Sequence, residues 1–200
     1  GIGADQRNST NKYIRSKVDA EDAIVAGFPD ATILRPSVVF GPEDAMFNRM
    51  GQIAKQAPFL PVVGDGSARV QPVFVGDLGA AVVAVLERPD TARTVFELGG
   101  PRVYTYREIA ALVLRETDRH KRIVGIPASL MRIAGFFSGF LPVPPLTHDQ
   151  VDLLVTDNVA RPGAPGLAAL GIEATAAEAI LPMYLDRYRI GGRYNLHAPA

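Results

Sequence analysis

Tyr13 and Lys17 stand four residues apart, a spacing that sets a phenol and an ammonium on one face of a helix. A neighbouring ammonium favours the phenolate, which is what a tyrosine needs if it is to trade a proton with a carbinol during hydride transfer. The same spacing also describes a plain surface pair, worth roughly a few tenths of a kcal/mol. Order separates the two readings. A β-branched strand, Ala31-Thr-Ile-Leu-Arg35, follows and ends at Pro36-Ser37-Val38-Val39-Phe40-Gly41-Pro42. A chain that turns away there does so at the carboxyl end of a strand, where open α/β sheets bind ligands.

The elements that must hold this pair alternate. Thr10 or Asn11 caps a helix running to about Ala26, closed by Gly27 and Pro29. Residues 31 to 35 form a short buried strand, and a second helix follows Pro42-Glu-Asp44 and ends near Gln56. Residues 59 to 75 read as two short strands joined at Gly64-Asp-Gly66, a hairpin turn, since a phosphate cradle would need a helix amino end next. Asp77 caps an apolar helix to about Arg88, and Thr94 to Leu98 is a strand stopped by Gly99-Gly100-Pro101. Thr105 with Glu108 makes a capping box for a helix to about Thr117, leaving the flanking Tyr104 and Tyr106 as structural residues. Ile123 to Pro127 is a further strand. This alternation predicts an α/β fold with a parallel sheet and covering helices.

The run from Ala128 to Leu141 is apolar on nearly every side apart from Arg132. Its 14 or so residues fall short of the roughly 20 needed to span a bilayer. Three readings stay open: a buried or substrate-lid helix, a segment whose Phe136, Phe137, Phe140 and Leu141 dip into a membrane surface, and a helix that Gly135 and Gly139 let another approach closely.

Composition excludes several classes. The 200 residues carry 21 Lys and Arg against 21 Asp and Glu, so there is no electrostatic case for a nucleic-acid partner. The absence of cysteine excludes disulfides and thiolate metal sites. His120, His148 and His197 form no ligand spacing, so no metal is expected. No targeting peptide is visible.

With Gly64-Asp-Gly66, Arg69-Val-Gln-Pro-Val-Phe-Val75 and Asp77 added to the opening motif, the chain resembles the extended and atypical short-chain dehydrogenase/reductase superfamily, which includes NAD-dependent epimerases and dehydratases. The runs Tyr13-Ile-Arg-Ser-Lys17, Phe28-Pro-Asp-Ala-Thr-Ile-Leu-Arg-Pro-Ser37, Phe40-Gly-Pro-Glu-Asp44, Phe47-Asn-Arg49, Gln71-Pro-Val-Phe-Val75 and Pro165-Gly-Leu-Ala-Ala-Leu-Gly-Ile-Glu-Ala-Thr175 are similar to the nucleotide-binding accessory subunit of respiratory complex I and its bacterial relatives.

That resemblance implies the carboxyl-terminal part of a Rossmann-like, doubly wound parallel sheet with a small, mostly helical substrate or lid subdomain. Residues 1–45 and 70–98 would be the remnant of the dinucleotide-binding sheet, 46–69 and 99–190 the lid, and 191–200 a tail. No Gly-x-Gly-x-x-Gly stands in the sequence, and the resemblance sets a catalytic serine directly before Gly1, so the first strands are expected to be missing. A chain without them should bind a dinucleotide poorly.

Under the same resemblance Tyr13 holds the nicotinamide ribose and acts as general acid/base where catalysis survives. Lys17 bonds the ribose hydroxyls, and Pro36, Ser37, Val38 and Val39 lie against the nicotinamide. Asn48 and Arg69 are weaker candidates for substrate contact: Asn48, like Arg49, either faces the cleft or solvates a helix, and Arg69 either meets a substrate phosphate or is an exposed strand arginine.

The cofactor implied is NADP or NAD, largely structural, with complex I subunits as partners and a place in the cytoplasm or on the cytoplasmic, matrix-equivalent side of an inner membrane. The alternative is an active epimerase, dehydratase or reductase on a small carbonyl or sugar. A third class is a lipid-surface protein acting through residues 128–141.

Overall fold

The computed structural model describes residues 1–4, 7, 9–131 and 148–192, the side chains of 148–150 apart. In chain order the elements are α1 (Lys12–Gly27), β1 (Ile33–Pro36), β2 (Val39–Phe40), α2 (Met46–Gln56), β3 (Phe59–Val63), β4 (Arg69–Val70), β5 (Val73–Phe74), α3 (Val75–Glu87), β6 (Val95–Leu98), β7 (Tyr104–Thr105), α4 (Tyr106–Glu116), β8 (Arg122–Ile126), α5 (His148–Leu154) and α6 (Ala177–Leu185). Short 3-10 turns lie at Pro89–Thr91, Leu167–Leu170 and Asp186–Tyr188. Among the described residues no helix is long and apolar enough to cross a membrane. Most of the 128–141 segment falls outside them.

The chain divides into two compact units. The sheet unit comprises Gly1–Val39, Val70–Val103 and Asn158–Ala176, and the second unit Phe40–Arg69, Tyr104–Asp157 and Ala177–Ala200. The stretch 158–176, assigned from sequence to the lid, packs in the sheet unit.

In the sheet unit β1 and β6 pair in parallel, with Ile33 opposite Val95, Leu34 opposite Phe96, Arg35 opposite Glu97 and Pro36 opposite Leu98. Helix α1 starts where the Asn11 side chain accepts the N–H groups of Tyr13 and Ile14, satisfying two donors that a helix leaves unpaired. Ile14 and Val18, four apart, are its buried residues. Val73, Ala81, Phe96, Leu98, Leu167 and Leu170 form the core, with Leu34 and Val39 packed against it.

Asp77, expected as a cap, is not one. It is the third residue of α3, makes no capping bond, and accepts the Thr175 N–H at 2.7 Å and hydroxyl at 2.8 Å. The carboxylate is buried, and the 158–176 strap supplies the donors that burial demands.

In the second unit β3 and β8 pair in parallel from Phe59 opposite Arg122 to Val63 opposite Ile126. This corrects the hairpin expected at Gly64-Asp-Gly66. The turn itself is present, with positive φ at both glycines and the Gly66 N–H on the Val63 carbonyl at 3.1 Å. It leads the chain onto the start of α4, where the Gly66 carbonyl accepts the Arg107 N–H and the Ala68 carbonyl the Tyr106 N–H. Residues after the turn are thus used by α4, and β3 pairs with β8. The expected capping box is formed, Thr105 Oγ1 accepting the Glu108 N–H at 3.1 Å and Glu108 the Thr105 N–H at 2.7 Å.

Candidate functional site

Tyr13, Lys17 and Glu21 recur every four residues along α1 and so share one face. Lys17 Nζ lies over the Tyr13 ring, 5.4 Å from its centroid, a cation–π contact. Tyr13 is 51% exposed. Glu21 is held by Arg35, whose Nε donates to it at 3.0 and 3.1 Å and whose Nη2 donates at 2.6 Å. Since Arg35 directly precedes Pro36 on β1, this fork sets which face of α1 turns toward the end of that strand.

The network continues inward. Arg35 Nη1 is 3.7 Å from Glu97, its partner in the sheet register. Glu97, with a side chain 1% exposed, accepts the Arg161 N–H and Nε, each at 2.8 Å, and Nη2 at 2.7 Å. Charges therefore alternate from Glu21 through Arg35 and Glu97 to Arg161, and the bonds to each carboxylate compensate its loss of water. Sequence reasoning missed this set. The readable signal was a single charge in each of two otherwise apolar strands, opposite in sign.

The loop after β1 is tied down through its polar groups. The Pro36 carbonyl accepts the Ile2 N–H at 3.0 Å, the Ser37 N–H donates to the Leu98 carbonyl at 2.9 Å, and the Val38 carbonyl accepts the Val73 N–H at 3.0 Å. The buried Ser37 hydroxyl bonds the Asn158 carbonyl at 3.0 Å and side-chain oxygen at 2.7 Å. Val39 packs on the core. All six dinucleotide candidates thus lie in the sheet unit: Tyr13 and Lys17 in mutual contact, and 36–39 as a braced loop at the carboxyl end of β1.

Asn48 and Arg69 lie in the second unit, and each has protein partners. Asn48 donates to the Pro42 and Asp44 carbonyls at 3.2 and 2.9 Å and accepts the Tyr188 hydroxyl at 3.0 Å. Asp44 accepts the Phe47 N–H at 2.6 Å, starting α2, and also the Tyr184 hydroxyl. Burial, and secondly that bond to Asp44, pushes the Tyr184 phenol far up. The Arg69 Nε and Nη2 bond Asp157 at 2.8 and 2.6 Å on the surface. The same unit holds a cavity of about 310 Å³ lined by Met46, Arg49, Met50, Ile53, Val62 and Tyr106, among others. Among the described residues no group of His, Asp or Glu is placed to hold a metal ion.

Residues 3–133 match the family described as the RmlD substrate binding domain. The chain is 31% identical over 195 residues to NADH dehydrogenase [ubiquinone] 1 alpha subcomplex subunit 9, mitochondrial, of Arabidopsis thaliana, covering 92% of this chain and 48% of that protein. It is 30% identical over 190 residues to the NADH-ubiquinone oxidoreductase 40 kDa subunit, mitochondrial, of Neurospora crassa, covering 94% of this chain and 50% of that protein. The chain thus spans about half the length of these relatives.

In fold it is similar to an NAD-dependent NDP-hexosamine 5,6-dehydratase involved in tunicamycin biosynthesis, with a TM-score of 0.61 at 20% identity over 87% of this chain and 52% of that one. The α/β architecture with parallel strand pairs is accordingly that of the Rossmann-like epimerase and dehydratase folds. The sequence belongs to the RmlD substrate binding domain family and is homologous to the complex I alpha subcomplex subunit 9 proteins.

Proposed function

We propose that this chain is part of an NAD(P)H-binding accessory protein that aids the assembly or stability of a membrane-associated respiratory complex, with the dinucleotide serving as a structural ligand. The observation that carries this reading is the 31% identity to the Arabidopsis complex I subunit across 92% of the chain. The site chemistry supports it. A half-exposed phenol and an ammonium on one helix face are the donor set that suits a ribose diol, and the Glu21–Arg35 fork holds that face in place. When bound, the dinucleotide would stabilise the folded state by mass action, and only catalytic use of it would demand hydride chemistry.

In this proposal Tyr13 and Lys17 hold the nicotinamide ribose, residues 36–39 back the nicotinamide ring, and Asn48 and Arg69 are the weaker contacts to a substrate. Lys17 positions the phenol, and Tyr13 carries the proton if a carbonyl is reduced. The protein acts on the cytoplasmic or matrix-equivalent side of the membrane, with 128–141 as its surface contact. The second reading, an active reductase, epimerase or dehydratase, is favoured by the likeness of fold to the NAD-dependent dehydratase.

The test uses the intact natural polypeptide. Purified protein should release NADP(H) or NAD(H) on denaturation, and its melting temperature should rise with added dinucleotide. Nicotinamide absorbance should stay constant when small carbonyls and nucleotide sugars are offered. Tyr13→Phe should leave the ligand-induced melting shift nearly intact. Turnover that Tyr13→Phe abolishes would replace this reading with the second, and no release or melting response would sink both.

A further inference from the structure

We infer that the cavity of the second unit is a binding site for a single-chain anionic amphiphile, a fatty carboxylate, with its tail among Met46, Met50, Ile53 and Val62 and its head group at Arg49. At about 310 Å³ the cavity sits at the small end of ligand pockets, which are typically apolar with a few fixed polar groups. Its named apolar walls come from α2 and β3, and two methionines among them suit a flexible chain, because thioether side chains adapt to irregular shapes.

Arg49 is the charged residue of the lining. It is exposed, and its guanidinium has no ion-pair partner among the described residues, unlike Arg35, Arg69 and Arg161, which are all engaged. A guanidinium at the edge of an apolar cavity matches a carboxylate in shape and charge. Tyr106, also in the lining, is almost fully buried, and burial pushes its phenol up to about 12, so it stays a neutral donor at physiological pH. A nucleic acid or a sugar would meet too few polar groups here to replace its hydration.

The experiment is displacement of the fluorescent fatty acid cis-parinarate from the full chain by palmitate, hexadecanol and methyl palmitate, each below its aggregation limit. Palmitate should compete at one site per chain and at least tenfold better than hexadecanol or the ester. Arg49→Gln should remove most of that tenfold preference without altering the melting temperature. Met50→Trp, which fills the cavity, should weaken all three ligands together. Arg49 lies on the surface, so its variant reads the head group even if the Met50 variant folds poorly.

Equal competition by palmitate and hexadecanol, or an unchanged preference in Arg49→Gln, overturns the assignment. So does capture by phosphatidic acid vesicles without binding of free palmitate, since that outcome assigns the chemistry to a membrane surface. The result is independent of whether the dinucleotide binds, because the cavity residues belong to the second unit and the phenol–ammonium pair to the first.

Discussion

The sheet unit and the second unit solve burial by opposite means. Seven polar or charged residues are buried among those described, and six of them, Asn11, Arg35, Ser37, Asp77, Thr91 and Glu97, lie in the sheet unit. The second unit has Thr117, whose hydroxyl is absorbed by the Val113 carbonyl of its own helix at 2.7 Å, and otherwise only the phenols of its buried tyrosines among the described residues. It relies instead on volume, with Phe40, Phe47, Leu60, Ile109, Leu181 and Leu185 almost wholly buried. The difference teaches where specificity resides. A one-residue slip of β1 against β6 would set Arg35 opposite Phe96 or Leu98 and strand its charge, so directed bonds fix register in the sheet unit. A packed apolar core tolerates exchange of shape within a given volume more readily.

The largest expected loss falls on the volume side. Phe47 is 0% exposed and meets the Phe40 ring edge-on at 5.8 Å. Phe47→Ala should cost about 4 kcal/mol by urea unfolding, and Phe47→Leu much less. Equal losses for the two would break the volume account. Next comes the clamp between the strands. Glu97→Leu keeps the bulk but leaves Arg35 and the Arg161 N–H short of an acceptor, and should cost about 3 kcal/mol. A neutral result would mean that the sheet unit is also held by volume alone. Smaller again, Asp77→Ala deprives Thr175 of its two bonds, and should cost about 2 kcal/mol. Because Asp77 anchors the strap, amide exchange should rise within 158–176 more than in β3 or β8.

These predictions concern residues that were legible to different degrees. Helix α1 was readable from the Thr10–Asn11 pair, one of which had to cap it, and from the four-residue spacing of Tyr13 and Lys17, and α4 from Thr105 and Glu108, because in both the capping bonds close within three residues. Parallel strands were readable from their alternation with helices. What stayed hidden was pairing across distance. Gly64-Asp-Gly66 reads locally as a hairpin, and only the position of β8 some 60 residues on shows that β3 has another partner. Asp77 reads as a cap because its acceptor role depends on Thr175, 98 residues away. In the candidate site the Tyr13–Lys17 contact follows from helical spacing, whereas Glu21, Arg35 and Glu97 become a clamp only once β1 lies beside β6.

The smallest effect sharpens the comparison most directly, because it repeats the chemistry of Arg35 and Glu97 in water. The Arg69 side chain is 61% exposed and that of Asp157 43%, and solvent screens such a pair to little net value. Its mark is on protonation. The Arg69 guanidinium, bonded to the carboxylate, holds Asp157 below the ordinary carboxylate value. A depressed pKa means that the unfolded chain takes up the proton first as pH falls, so the contribution is complete above about pH 4, the unfolded range, and is lost as pH drops through the folded value. Asp157→Asn should therefore leave the urea midpoint at pH 7 almost unchanged, and the small wild-type advantage should vanish in acid and in molar salt. If Asp157→Asn proved as damaging at pH 7 as Glu97→Leu, exposure would not be what separates the two ion pairs, and the contrast between the units would need another cause.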